Sequence, residues 1–234
     1  MRKQYLSGLV IFVLFPFSSI ISFAESNDSI LVFGGTGRIG SEIVKVLESQ
    51  GNKISIFVRP SSDRKRLEGL NISYLIGNVL SEKDVARAFE NQKFDAVISS
   101  LAKVGQEPNP HAIGGRHLTK WAKKNGVKHF ILISSLGAGP EPVFTKYKEI
   151  LQAKGEAETA LTSSGIDYTI IRTGIILYEE EPATGNAKLI HNQNVIGTIT
   201  RKDLAQLTAE CVFDHQCINQ VYNAVDCSLN CQVQ

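Results

Sequence analysis

The chain has 234 residues, 43% hydrophobic and 21% charged, with a net charge of +2. That suits one α/β domain with a substantial core. So small a net charge gives no electrostatic reason to expect nucleic acid or an anionic membrane surface as a partner.

The first two dozen residues read as a targeting segment. Arg2 and Lys3 precede an apolar run from Leu9 to Phe17, and Ser22-Phe23-Ala24 offers small residues where a signal peptidase reads. Cleavage after Ala24 is expected. Tyr5 to Phe23 is nearly long enough to cross a bilayer, so an uncleaved anchor stays open, as does a misassigned start codon. Either of the first two readings puts the protein in an exported or membrane-anchored setting (periplasmic, secretory or organellar), and an anchor could also hold it facing the cytoplasm. The remainder, 25–234, reads as one domain with small C-terminal elements on its substrate side.

The folded part opens with Ile-Leu-Val-Phe-Gly-Gly-Thr-Gly-Arg-Ile-Gly at 30–40. The apolar run predicts a strand buried on both faces. Gly34, Gly37 and Gly40 follow at every third position, and Ile39, Ile43, Val44 and Leu47 then mark a helix. A dinucleotide pyrophosphate calls for this order. One glycine turns tightly, one lets the backbone approach phosphate oxygens, and one lets the helix pack against the strand. The amides between Phe33 and Ser41, including those of Thr36, Arg38 and Ile39, face the anion at the positive end of the helix dipole.

Strands are then expected at Lys53–Val58, Ile72–Ile76, Ala96–Ser100, His129–Ser134 and Tyr168–Arg172, with a short last one at Val221–Ala224. Helices are expected at Ile39–Ser49, Glu82–Phe89, Ile113–Asn125, Lys146–Ser163 and Lys202–Phe213. This alternation predicts a doubly wound parallel sheet of the Rossmann type, with helices on both faces. Gln106–Pro110 reads as a loop because of its prolines. The loops at Gly137–Pro142 and Glu179–Asn186 follow strands, so they are natural walls for a substrate pocket.

The second strand ends Phe57-Val58-Arg59-Pro60, with no carboxylate at its tip to hold ribose hydroxyls. A guanidinium there can grip a 2′-phosphate through two parallel hydrogen bonds, and Arg38 could approach the same group. The expected cofactor is therefore NADP (as NADPH), with NAD the less favoured. Arg64-Lys65-Arg66 reads as a solvated face. Cys211, Cys217, Cys227 and Cys231 could pair in three ways, and their spacing does not suggest zinc. The five histidines show no metal-ligand spacing and read as surface or structural, although His111 and His191 fall in stretches able to line a pocket. Trp121 reads as core rather than as a stacking platform.

Several further segments stand in a telling order: Ile76-Gly77-Asn78-Val79, Asp95 to Ser100, Gly126 to Ser135, Gly165 to Gly174, and Gly197 to Asp203. With the glycine turn and Val58-Arg59-Pro60, they resemble the atypical short-chain dehydrogenase/reductases, in particular the NmrA-like and biliverdin-reductase-B-like NAD(P)-binding proteins. The resemblance runs from Ser29 to Asp226. It implies that Asn78 and Val79 lie beside the adenine and that Ser99 and Ser100 border the cofactor. It further implies that Ser135 corresponds to the catalytic serine and that Lys154 binds the nicotinamide ribose.

The chain departs from the family pattern in three places. Asn78 stands where an aspartate is usual, and Thr173 where Arg-Pro-Gly has its proline. Typical members also carry Tyr-x-x-x-Lys. None of the six tyrosines here has a lysine four residues on; Ile150 is four before Lys154, and Tyr147 is seven before it, on roughly the same helix face. The resemblance therefore implies NADPH-dependent reduction of a small conjugated acceptor of the quinone, flavin or enone type. The missing tyrosine keeps open a non-catalytic NAD(P)-binding sensor or assembly factor. A monomer and a homodimer both remain possible.

Overall fold

The computed structural model describes residues 28–90, 92–102, 109–142, 144–177 and 181–233. The expected targeting segment lies outside them. Among the described residues no helix is long and apolar enough to cross a membrane.

The first strand, β1 (Ser29–Phe33), shows how the fold is layered. Its four apolar residues are fully buried, but alternately. Ile30 and Val32 join one core cluster, while Leu31 and Phe33 join another. A strand period of two sends successive side chains to opposite faces, so the sheet has a core on each side. The helix α1 (Arg38–Ser49) buries Ile43, Val44 and Leu47 in the first core, together with Leu204 and Ala205 of α5 (Arg201–Glu210). On the other face lie α2 (Glu82–Glu90), α3 (Pro110–Lys124) and α4 (Lys148–Thr162), through Val85, Leu118 and Leu161 among others.

The remaining strands are β2 (Lys53–Val58), β3 (Ile72–Ile76), β4 (Ala96–Ser99), β5 (His129–Ser135), β6 (Tyr168–Thr173), β7 (Ile175–Ile176), β8 (Lys188–Ile190), β9 (Val195–Ile199) and β10 (Gln220–Val233). They form a sheet of order β3-β2-β1-β4-β5-β6-β10-β9-β7, with β8 paired to β10. The order reverses between β1 and β4, the crevice where ligands settle in such sheets.

The expected doubly wound α/β sheet is present, with a correction at its C-terminal edge. Every pair from β3 to the start of β10 is parallel, but β10 pairs antiparallel with β8 and β9. The last strand is also much longer than Val221–Ala224. Its register with β9 passes from Asp226 opposite Thr198 to Cys231 opposite Gly197, so residues 227–230 leave the ladder. A Cys227–Cys231 disulfide closes the base of that excursion, and Cys211 pairs with Cys217.

Two helix boundaries move by three residues, the others by two or fewer. Helix α3 begins at Pro110 rather than Ile113, because Asn109 caps it and proline suits a first helical position. His111 is consequently a buried helix residue and not part of a loop. Helix α5 ends at Glu210, before Phe213, whose φ of 62° turns the chain back beside the Cys211–Cys217 bridge.

Candidate functional site

The turn after β1 is built by two glycines that the protein itself demands. Gly34 has φ of +78°, and a Cβ there would stand 2.2 Å from the Ser100 carbonyl oxygen. A Cβ at Gly40 would stand 2.2 Å from the Gly34 oxygen, so Gly40 lets α1 close on the turn. Gly37 differs. Its φ of −72° and ψ of 169° suit any residue, and a Cβ would meet nothing nearer than the Gly34 oxygen at 3.2 Å. The internal need for glycine is weakest at this position, which is the one that faces an approaching phosphate.

Gly37 is also the N-cap of α1. It supplies no side-chain hydrogen bond, and the first turn holds no acidic residue. The first helical bond runs from the Ser41 N–H to the Gly37 carbonyl at 2.9 Å, so the amides of Arg38, Ile39 and Gly40 precede the helical ladder. Uncapped amides and the positive end of the dipole make a fitted cradle for a pyrophosphate.

The cleft beside this turn is lined by Gly34, Thr36 and Gly37, by Arg59 and Ser62 beyond β2, by Gly77, Asn78 and Val79 beyond β3, and by Ser100 beyond β4. Seven of the residues expected to bind cofactor thus share one cleft. Arg38 is exposed on the first turn of α1, Ile39 and Gly40 meet the cleft only as part of that turn, and Ser99 is buried within β4. Reading the sequence did not bring in Ser62, Phe57 or Leu101 as lining residues. None of the described residues lining the cleft is acidic. Asn78 uses its side-chain oxygen to accept from the Leu80 N–H at 3.1 Å, as an aspartate could. What it adds is an amide donor in place of a second carboxylate oxygen. Its backbone N–H donates to Asp84 at 3.0 Å, and His117 bonds the Val79 carbonyl at 2.9 Å, which fixes this wall.

The second cluster lies at the carboxyl ends of β5 and β6. Ser135 is the last residue of β5, opposite Thr173, and its carbonyl accepts from the Ala138 N–H at 3.1 Å. Thr173, where the family pattern has proline, donates its hydroxyl to the Ser134 carbonyl at 3.3 Å. Gly174 is required next, since a Cβ would stand 2.2 Å from the Gly197 oxygen of β9.

Lys154 on α4 donates to the Ile133 carbonyl at 3.3 Å. Burial lowers its ammonium to about 8, while Glu158 one turn on pulls the other way. Lys154 therefore keeps its charge at neutral pH, with hydrogens to spare for a ligand. Glu158 is buried, accepts the Ser134 hydroxyl, and holds Arg172 through two bonds of 2.6 and 3.1 Å. Arg172 continues to Gln193 at 3.0 Å. This chain of contacts ties β5, α4, β6 and the β8–β9 turn together under the site.

A family model described as NAD(P)H-binding matches residues 34–215. The chain belongs to the NAD(P)H-binding family. It is an atypical short-chain dehydrogenase/reductase of the NmrA-like, Rossmann kind. It is 33% identical over 170 residues to the mitochondrial protein FMP52 of Candida albicans, a match covering 67% of this chain and 71% of that protein. It is 28% identical over 149 residues to an NAD(P)H azoreductase of Xenophilus azovorans, covering 63% of this chain and 48% of that enzyme. The chain thus spans about half of the azoreductase. Among solved structures, ChuY, an anaerobillin reductase of Escherichia coli O157:H7, aligns with a TM-score of 0.76 at 25% identity. That match covers 86% of this chain and 98% of ChuY.

Two features of this NAD(P)H-binding protein escaped the sequence. One is Glu158, whose only signal was its place one turn after Lys154. The other lies under the substrate-side wall, where Asp203 accepts from the Thr184 and Gly185 amides at 2.9 and 3.0 Å and from Thr200 at 2.7 Å. Thr184 also bonds the fully buried Asp226. Burial alone would raise Asp203, but these hydrogen bonds bring it below the ordinary carboxylate value.

Proposed function

We propose that this protein binds NADPH in preference to NADH and uses it to reduce a small conjugated acceptor of the quinone, flavin or enone type. One observation carries the preference: Arg59 stands at the tip of β2, in a cleft to which none of the described residues brings a carboxylate. A guanidinium suits a 2′-phosphate, whereas a ribose diol asks for Asp or Glu. Relatives named for reducing an azo compound and an anaerobillin support a reductase.

The nicotinamide, when bound, supplies hydride. The chain's own groups do the rest. Amides of the α1 turn hold the pyrophosphate, and Lys154 donates to the ribose nearest the nicotinamide. The Ser135 hydroxyl hydrogen-bonds the acceptor's carbonyl. The second reading is a non-catalytic NAD(P)-binding sensor or assembly factor, favoured by the absence of Tyr-x-x-x-Lys. We propose an exported or membrane-anchored location, which the two disulfides support.

Calorimetry with both nucleotides, followed by a panel of quinones, flavins, enones and azo dyes, tests the function. Tighter binding of NADPH with turnover on the panel is expected. Tight binding without any NADPH oxidation selects the sensor, and equal affinities remove the preference. N-terminal sequencing of the mature protein, with fractionation, tests the location.

A further inference from the structure

The two disulfides stand in different surroundings. Cys211 and Cys217 are 1% and 6% exposed and belong to the core on the α1 side, where the Cys217 carbonyl takes the Thr169 hydroxyl. Cys227 is exposed and Cys231 half-buried, and Ser228, Leu229 and Asn230 between them are exposed. This second bridge lies at the ligand end of the sheet. β10 runs parallel to β6 as far as Ala224 opposite Thr173, and Thr173 stands opposite Ser135. The residues after Ala224 therefore continue past the carboxyl ends of β5 and β6. A disulfide is opened by a thiolate that reaches one of its sulfurs, so access separates an exchangeable bridge from an inert one.

The exposed bridge is joined to the site by two routes. On one side the Cys231 sulfur rests on Gly197 of β9, where a Cβ would stand 2.8 Å from it. The Gly197 oxygen in turn leaves no room for a Cβ on Gly174, the residue after Thr173. On the other side Ser228 donates its N–H and its hydroxyl to Asp226 at 2.8 and 2.6 Å. Asn186 donates its side-chain amide to the Ser228 hydroxyl oxygen at 3.4 Å, and Thr184 donates its hydroxyl to Asp226. Thr184 and Asn186 belong to the wall loop whose amides Asp203 holds. Because residues 227–230 leave the ladder with β9, the Asp226 carboxylate and the disulfide hold this excursion, not strand pairing.

We propose that Cys227–Cys231 is a thiol–disulfide exchange site, a redox latch that fastens the substrate-side wall when oxidised and slackens it when reduced. The co-reactant is a dithiol. One dithiol sulfur, as thiolate, attacks the exposed Cys227 sulfur. The S–S bond breaks and its electron pair leaves on Cys231, which takes a proton. The second dithiol sulfur then attacks the mixed disulfide and releases Cys227, which takes the other proton. The bridge gains two electrons and two protons, and the dithiol loses the same as it closes to its own disulfide. The opened excursion lets Ser228 leave Asp226 and Asn186, so the wall loop around Thr184 and Gly185 loses part of its support. β1 stands four strands from β10 in the sheet order, so it keeps its protection.

The test treats the full chain with rising dithiothreitol, alkylates it with iodoacetamide, and locates the labels by peptide mass spectrometry. Cys227 and Cys231 should label while Cys211 and Cys217 stay bridged. Hydrogen exchange on that half-reduced protein should show the 181–190 backbone exchanging about tenfold faster, with the β1 amides unchanged. The double variant Cys227→Ser, Cys231→Ser should exchange like half-reduced wild type and ignore dithiothreitol. Reduction of both bridges at one dithiothreitol concentration, or of Cys211–Cys217 first, overturns the exchange site. Unchanged exchange at 181–190 in the half-reduced protein overturns the latch, as does faster exchange at β1 as well, which would mean that the whole fold loosens. None of these readouts uses turnover, so a failure of the reductase reading shows separately, on the acceptor panel.

Discussion

Helices α1 and α5 lie on the same face of the sheet and bury side chains in the same core, yet their N-termini are finished in opposite ways. The start of α5 is self-sufficient. Thr200 accepts from the Asp203 N–H at 3.0 Å, Asp203 sits in the first turn, and its carboxylate gathers Thr200, Thr184 and Gly185. The start of α1 has no side-chain cap, no acid, and an arginine. A helix end satisfied by its own chain serves the fold. One left open at a topological switch point, with glycine where the backbone does not need it, serves a ligand.

The contrast breaks most visibly at α5. Asp203→Ala would strand the buried Thr200 hydroxyl and the partly buried hydrogen bonds from Thr184 and Gly185, and would remove the acid from the first turn of α5; a buried donor left unpaired costs about 1–3 kcal/mol. A loss of about 4 kcal/mol in urea unfolding is expected, with NADPH affinity nearly unchanged. A large drop in affinity with little loss of stability would mean that Asp203 serves the ligand as well.

A second internally satisfied group lies at the other edge of the sheet. His129 begins β5 and is buried; Thr169 gives its hydroxyl proton to the Cys217 carbonyl at 2.7 Å, so His129 Nε2 must donate to Thr169 at 2.8 Å. Nδ1 then accepts from the Phe213 N–H at 3.3 Å. The ring is neutral with a fixed tautomer, and burial lowers it from 6.5 to about 4. Between those values the unfolded chain binds the extra proton, so stability falls as pH falls, by at most about 3 kcal/mol. Urea unfolding at pH 7 and pH 4 should show a steeper loss in wild type than in His129→Gln. Parallel pH profiles would refute the neutral ring.

The same contrast explains what could be read in advance. Strands β1, β2, β4, β5 and β6 are mostly buried and appear as apolar-rich runs, and the edge strand β3 keeps the same β-rich character, so their ends were legible to within a residue or two. The phosphate turn was legible because three glycines served one geometry. The C-terminal edge was not. β7 has two residues and β8 three, too short for any period to register. β10 runs on through Asp226-Cys-Ser-Leu-Asn-Cys, whose polarity reads as tail; a disulfide closes the excursion at 227–230, and antiparallel pairing with β9 resumes at Cys231. Pro110 reads as a breaker because only the structure reveals Asn109 capping ahead of it. Glu158 looks like any surface helix acid until β6 brings Arg172 beside it.

The sharpest test of the comparison makes α1 resemble α5. Gly37→Asp would supply the missing cap, at a φ and ψ that aspartate tolerates, with the turn yielding a few tenths of an ångström at the Gly34 oxygen. Thermal stability should be kept, while the carboxylate occupies the anion's place and repels it. We expect both NADPH and NADH to bind about 100-fold more weakly by calorimetry. Retained affinity in a folded Gly37→Asp protein would detach nucleotide binding from the α1 turn.

The smallest effect separates the two dinucleotides. Arg59→Glu leaves the α1 turn alone and puts at the tip of β2 the carboxylate that a ribose diol prefers. The 2′-phosphate then loses a guanidinium and meets a like charge, so NADPH should weaken by about tenfold, or about 1.4 kcal/mol. NADH should hold its affinity or gain. Because Gly37→Asp removes both nucleotides and Arg59→Glu only re-orders them, the pair assigns the pyrophosphate to one side of the cleft and the far ribose to the other. Should Arg59→Glu weaken both alike, the 2′-phosphate is read by another group, and Arg38, exposed on the first turn of α1, is the next arginine to replace.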